Sequence, residues 1–118
     1  MSKSLIPKLQ AIKQRYNEVA DLIIQPDVIT DQKRYGQLNK EYSDLGKIVK
    51  VFDEYMQALN TIEESDEIIV DGSDKDFVEL AKIEKNEALE KIPALEAELT
   101  VLLISKDAAD DKNVIVVL

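Results

Sequence analysis

Between Asp31 and Glu67, apolar residues recur at Tyr35, Leu38, Tyr42, Leu45, Val49, Phe52, Met56 and Leu59. The intervals alternate three and four, the spacing that holds one seam of an α-helix against a partner. Asn39, Lys40, Asp44, Lys47, Lys50, Asp53 and Glu54 lie between them and make the opposite face polar. At the α-helical rise such a helix is roughly 55 Å long. It cannot bury its stripe against itself, so the segments on either side must supply helical neighbours.

The segment before it has the same pattern, with Leu5, Leu9, Ile12, Tyr16, Val19 and Ile23 on one stripe. Ser4 is a suitable N-cap, and Pro7 falls in the first turn, where its missing N–H costs nothing. Gln25-Pro26-Asp27 ends this helix, because the residue before a proline is pushed out of the α region. A short connection through Val28 and Ile29 leads to Thr30 or Asp31 as the next N-cap, which makes the two helices antiparallel neighbours. Gly36 and Gly46 in the second helix cost about 1 kcal/mol each relative to alanine. Close helix packing is the reason expected for both.

Asp71-Gly72 is the clearest turn signal in the chain. Ser73 followed by Asp76 resembles a capping box. A third helix then runs to about Ile104 through Phe77, Leu80, Ala81, Ala88, Ile92, Leu95, Leu99 and Leu102, with Glu84 on a seam position. Pro93 inside it removes a hydrogen bond to Leu89 and predicts a kink.

After Ile104 the pattern changes. Residues 105–113 read as a polar linker, and Val114-Ile115-Val116-Val117-Leu118 reads as a β-strand buried on both faces. A lone strand has nothing to pair with, so residues 114–118 are expected to be disordered or to pair with another chain, which allows self-association. The fold class expected is therefore mainly α. Residues 1–104 form a long antiparallel three-helix, coiled-coil-like arrangement, followed by the linker and the first strand of a truncated second domain. The chain reads as a fragment.

Composition narrows the function. Cysteine and histidine are both absent, which removes disulfides, thiolate zinc sites, imidazole bases and Ser-His triads. The acidic run Glu63-Glu64-Ser65-Asp66-Glu67 invites a metal or catalytic reading, but its carboxylates are expected to be solvated, with no oxygen cage around them. No catalytic, metal or cofactor residues are therefore assigned.

Residues 1–50 carry nine Lys/Arg and six Asp/Glu, net +3, whereas residues 51–118 carry six and eighteen, net −12. The acidic part repels nucleic-acid phosphate, which argues against bulk DNA or RNA binding. No apolar run of about 18 residues exists to span a membrane, and the N-terminus lacks a signal-peptide pattern, so a cytoplasmic location is expected. Any partner surface must lie on the solvent faces. Lys13, Arg15, Lys33 and Arg34 are the candidate contacts, set against the plainer reading that they only solubilise the helices.

The whole chain resembles the N-terminal part of a bacterial class I peptide chain release factor, of the type that reads UAA and UAG. Three stretches carry the likeness. Ser4-Leu5-Ile6-Pro7-Lys8-Leu9 with Arg15-Tyr16-Asn17-Glu18-Val19 is similar to the family's opening helix. Val28-Ile29-Thr30-Asp31-Gln32-Lys33-Arg34-Tyr35, followed by Lys40-Glu41-Tyr42-Ser43-Asp44-Leu45, is the most specific. The third is Leu102-Leu103-Ile104-Ser105-Lys106-Asp107, continuing through Asp110-Asp111-Lys112-Asn113. The chain departs from the family where Ser105 and Ala108 replace usual prolines. It departs again at Val117-Leu118, where a glutamate and an arginine are expected.

The resemblance implies a helical arm that points, on the ribosome, toward the GTPase-associated centre at the stalk base, near ribosomal protein L11. It also implies an influence on the class II release factor GTPase and a link to the methyltransferase that modifies the catalytic glutamine. The family's Gly-Gly-Gln loop and Pro-x-Thr codon-reading tripeptide do not occur in this sequence. The chain by itself is therefore not expected to be an enzyme. The alternative reading is a free-standing coiled-coil scaffold or chaperone-like helical protein, and an enzyme is a poor third.

Overall fold

The computed structural model describes the backbone of residues 5–117 and the side chains of residues 5–108. Four helices follow one another: α1 (Leu5–Leu22), α2 (Pro26–Ile29), α3 (Gln32–Asp71) and α4 (Lys75–Val117). The expectation of a mainly α protein holds. The chain divides into two units, residues 1–50 and 51–118, and α3 contributes to both.

In the first unit α1 buries Leu9, Ile12 and Val19, three of the expected stripe residues. The expected cap Ser4 lies outside the described residues. α1 ends at Leu22, Gln25 is extended as the residue before a proline should be, and the short connection through Val28 and Ile29 is one helical turn opened by Pro26. Val28 from this one turn is 1% exposed and packs with Val19 and Leu38, with Leu22, Ile23 and Tyr42 around them. The Thr30 hydroxyl donates to the Pro26 carbonyl at 3.0 Å and closes α2. Of the two candidate caps it is Asp31 that caps α3, its Oδ1 accepting from the Arg34 N–H at 3.2 Å. Leu38, Leu45, Ile48 and Val49 complete the buried set on this part of α3.

The second unit is a helical hairpin of residues 51–71 of α3 and α4. Gly72 adopts φ +64° and its N–H donates to the Ile68 carbonyl at 3.0 Å, the left-handed ending that glycine allows. The cap of α4 is Asp74 and not the expected Ser73. Oδ1 of Asp74 accepts from the N–H groups of Asp76 at 2.9 Å and Phe77 at 3.3 Å. Ser73 instead turns back to hydrogen-bond the Asp71 carboxylate. An aspartate one residue closer to the helix captures the orphan amides first, so the capping box never forms.

The seam of the hairpin keeps Phe52, Ala81, Ala88, Leu95 and Leu99 of the predicted stripes and departs from them at Met56, Leu59, Phe77 and Leu80. On α3 the buried positions are Val51, Phe52, Tyr55, Ala58 and Ser65, while Met56 and Leu59 are only half-buried. On α4 they are Ala81, Ala88, Leu95, Leu99 and Leu103, whereas Phe77 is 61% and Leu80 51% exposed. Ser65 and Ala81 each stand eight positions from Ser73, and Ala58 and Ala88 each stand fifteen. Small residues thus recur at matching distances from the turn on both helices, and all four are buried.

Pro93 lies inside α4 without ending it. Pro93 and Leu89 are both exposed, so the carbonyl that loses its donor is open to water. The expected linker and strand are not seen: α4 continues through residues 105–117, and among the described residues there is no strand. Residues 105–113 hold neither glycine nor proline and include two alanines, so nothing in them breaks a helix. Without a neighbouring strand, the i to i−4 ladder is the way the Val114–Val117 backbone pairs its own polar groups. Leu118 lies outside the described residues.

Candidate functional site

The four basic residues singled out from the sequence all fall in the first unit, and the structure gives them different roles. Arg15 on α1 makes a bidentate pair with Glu41 on α3, Nε donating to Oε2 at 2.7 Å and Nη2 to Oε1 at 2.8 Å. Nη1 also lies 3.8 Å from Glu18. The hydrogen bonds to Glu41 push the pKa of Arg15 further up; modest desolvation opposes this, and the Glu41 and Glu18 charges assist. Arg15 is therefore a bolt between helices before it is a contact for anything else.

Beside the bolt, the rings of Tyr16 and Tyr42 stack with centroids 4.6 Å apart and planes 11° from parallel. Gly46 follows Tyr42 by one helical turn, and a Cβ there would sit 3.2 Å from Cε1 of Tyr16. The expected role of Gly46 in close packing is thus realised. Gly36 has nothing within 4 Å of the same construction, so packing does not explain it.

Lys13 is half-buried on α1 and engaged within the chain. Arg34 stands 4.0 Å from Asp27 across a solvent-exposed gap. Lys33, in the first turn of α3, is exposed and makes no side-chain ion pair or hydrogen bond among the described residues. Both Lys33 and Arg34 occupy the positive end of the α3 dipole, where a cation is unfavourable by about 0.3–1 kcal/mol. Their placement does not serve the helix.

The acidic run in the second unit does not converge. Ser65 is 2% exposed in the seam. Asp66 pairs with Lys85 at 2.6 Å, and Glu64 accepts from the Asn60 amide at 3.1 Å. Among the described residues no three acidic groups gather as metal ligands would. No helix there is long and apolar enough to cross a membrane.

A unit in which α1 and α2 pack on the start of α3, and a unit in which the rest of α3 pairs with α4 across a capped turn, make this a mainly helical protein. The PCRF domain model matches residues 12–118, and the chain belongs to that family. It is similar to proteins named peptide chain release factor 1. The Flavobacterium psychrophilum protein is 55% identical over 112 residues, 95% of this chain and 31% of the relative. That of Flavobacterium johnsoniae is 50% identical over the same shares, and that of Bacteroides fragilis 44% identical over 97% of this chain and 31% of the relative. The chain thus spans about a third of the length of these relatives. No solved structure matches it.

Proposed function

We propose that this chain is the helical arm of a translation termination factor, a positioning and protein-binding segment rather than the part that performs chemistry. The observation that carries the reading is the 55% identity to a peptide chain release factor 1 over 95% of the chain. Its partner is the ribosome in the cytoplasm, at the stalk base near ribosomal protein L11. From there it acts on the class II release factor GTPase, and it contributes to recognition by the glutamine methyltransferase.

The chain holds no Gly-Gly-Gln and no Pro-x-Thr, so peptide release and codon reading belong to other parts of such a factor. The contact face on this reading includes Lys33 and Arg34. They are exposed at a helix end that does not favour them, and cations there meet ribosomal phosphate well.

The test is a chimera: these residues replace their counterpart in the full-length Flavobacterium psychrophilum factor, and Lys33→Glu/Arg34→Glu is introduced. Ribosome affinity should fall, with a shallower salt dependence and a melting temperature that does not fall. Unchanged affinity and salt slope would remove these residues from the contact. A chimera that neither binds ribosomes nor supports release would overturn the reading itself.

A further inference from the structure

The hairpin of the second unit leaves one long surface groove that its own seam does not fill. Buried Ala58 and Ala88 lie at its floor, and their small side chains leave a depression between the longer ones around them. The depression is walled by Asp53, Glu54 and Thr61 from α3 and by Glu84, Glu87 and Lys91 from α4. Nearer the turn, Ile68 and Phe77 line a second depression.

The two depressions share their helical rows. Glu54, Thr61 and Ile68 follow one another at steps of seven on α3, as do Phe77, Glu84 and Lys91 on α4. Leu80, Glu87 and Ala94 form the next row out at the same step. Residues seven apart lie two turns along nearly the same face, so these rows run down one side of the hairpin. Its turn end carries the apolar Ile68, Phe77 and Leu80, each 41–61% exposed, beside Glu67, Asp71, Ser73 and Asp74. Its far end is acidic, with four carboxylates to one lysine.

We propose that this groove is a docking site for a basic amphipathic α-helix of a partner protein. In this arrangement the helix lays apolar side chains on Ile68, Phe77 and Leu80 and points Lys or Arg at Asp53, Glu54, Glu84 and Glu87. From Glu54 to Ile68 the groove is roughly 21 Å long, the length of about four helical turns. That suits one amphipathic helix held by anchors three and four residues apart.

Charge selects the occupant. Residues 51–118 carry net −12, so a second copy would set this acidic wall against a like one, and nucleic acid would be repelled. A partner that was merely cationic would leave Phe77 and Leu80 uncovered. The inference concerns a different face from the basic residues of the first unit and stands without the release-factor reading.

The test titrates the 15N-labelled chain with a designed Leu/Lys amphipathic helix of about eighteen residues, long enough to hold helical structure. A scrambled peptide of identical composition and a Leu/Glu counterpart serve as controls. Amide shifts are expected at Thr61, Ile68, Phe77, Leu80, Glu84 and Glu87, with weak or no response to either control. Leu80→Asp and Glu84→Lys/Glu87→Lys should each weaken binding by about tenfold or more, equivalent to about 1.4 kcal/mol. Circular dichroism of the same variants checks that the exposed substitutions leave the hairpin folded. Equal binding of the scrambled peptide, or shifts mapping elsewhere, overturns the proposal. So does a dimer by sedimentation that Phe77→Ser dissolves, since the occupant would then be a second copy.

Discussion

Arg15 and Glu41, twenty-six residues apart, meet through two parallel hydrogen bonds of 2.7 and 2.8 Å, and this fork fixes how α1 lies along the start of α3. The two side chains are 43% and 34% exposed, so solvent screens most of the Coulomb attraction. A double-mutant cycle with Arg15→Gln and Glu41→Gln should give a coupling of about 0.2–1 kcal/mol. It should shrink as salt rises. Arg15→Lys should lose most of it, because an ammonium cannot match the carboxylate fork. The folded-state pKa of Arg15 is raised, so its contribution is present below the unfolded value and is lost only at strongly alkaline pH. A coupling that persists unchanged in molar salt would mean the pair is held by packing and not by charge.

Lys33 makes the opposite prediction. It sits in the first turn of α3, where the dipole disfavours a cation, and it holds no carboxylate among the described residues. Lys33→Glu should therefore stabilise the isolated chain, by about 0.3–1 kcal/mol, while weakening ribosome association in the full-length chimera. Stability and binding moving in opposite directions would mark a residue kept for contact. If both fall together, Lys33 has a structural role that the fold does not reveal.

The two glycines within α3 should respond differently to alanine. At Gly36 the space is open, so Gly36→Ala should gain the full helix-propensity difference, about 1 kcal/mol. At Gly46 the added methyl meets Tyr16 at 3.2 Å, and stacking on Tyr42 limits how far that ring can yield. Gly46→Ala should therefore gain clearly less than Gly36→Ala, or lose stability. Equal gains in thermal denaturation would show that the ring moves aside at no cost.

Local signals in the sequence were read correctly where a single chemical cause decides them. Asp31 caps α3 because a carboxylate stands beside free amides, and Gly72 ends it because only glycine accepts that φ easily. Leu9, Ile12, Val19, Leu38, Leu45 and Val49 were legible because large apolar residues in that region have one regular stripe. In the hairpin the same rule finds Phe52, Ala81, Ala88, Leu95 and Leu99 but misleads elsewhere. Phe77 and Leu80 outweigh Ala58 and Ser65 in hydrophobicity, yet the first two are exposed and the second two are buried. A hydrophobicity pattern does not register a residue that fits a seam by its small volume. The contact faces were less legible still. Periodicity says which side of a helix meets water, not which watered side chains are already paired, as Arg15 is.

That reading of the seam can be checked directly. Ala88 is 4% exposed, so Ala88→Leu forces extra methylenes into a buried seam position. It should cost about 1–3 kcal/mol. Phe77→Ser removes a far larger apolar group from an exposed position and should stay within about 0.5 kcal/mol of the parent chain. The reverse order in chemical denaturation would restore Phe77 to the core and cancel the phase assigned to α4.

The C-terminal stretch of α4 depends on what is missing from residues 105 and 108. Release factors are expected to carry proline there, and the chain has Ser105 and Ala108. A proline at 105 would remove the bond to the Val101 carbonyl and push Ile104 out of the α region; one at 108 would do the same to the Ile104 carbonyl and Asp107. Ser105→Pro/Ala108→Pro should therefore end α4 near Ile104 and release residues 105–117 from the helix. Those thirteen residues are about one-eighth of the helical total, so the 222 nm ellipticity should fall by about that fraction. Leu95 and Leu99 lie one to three turns earlier in the seam, and the main unfolding transition should barely move. An unchanged ellipticity would mean residues 105–117 are not helical in solution, and the linker-and-strand reading of this stretch would return.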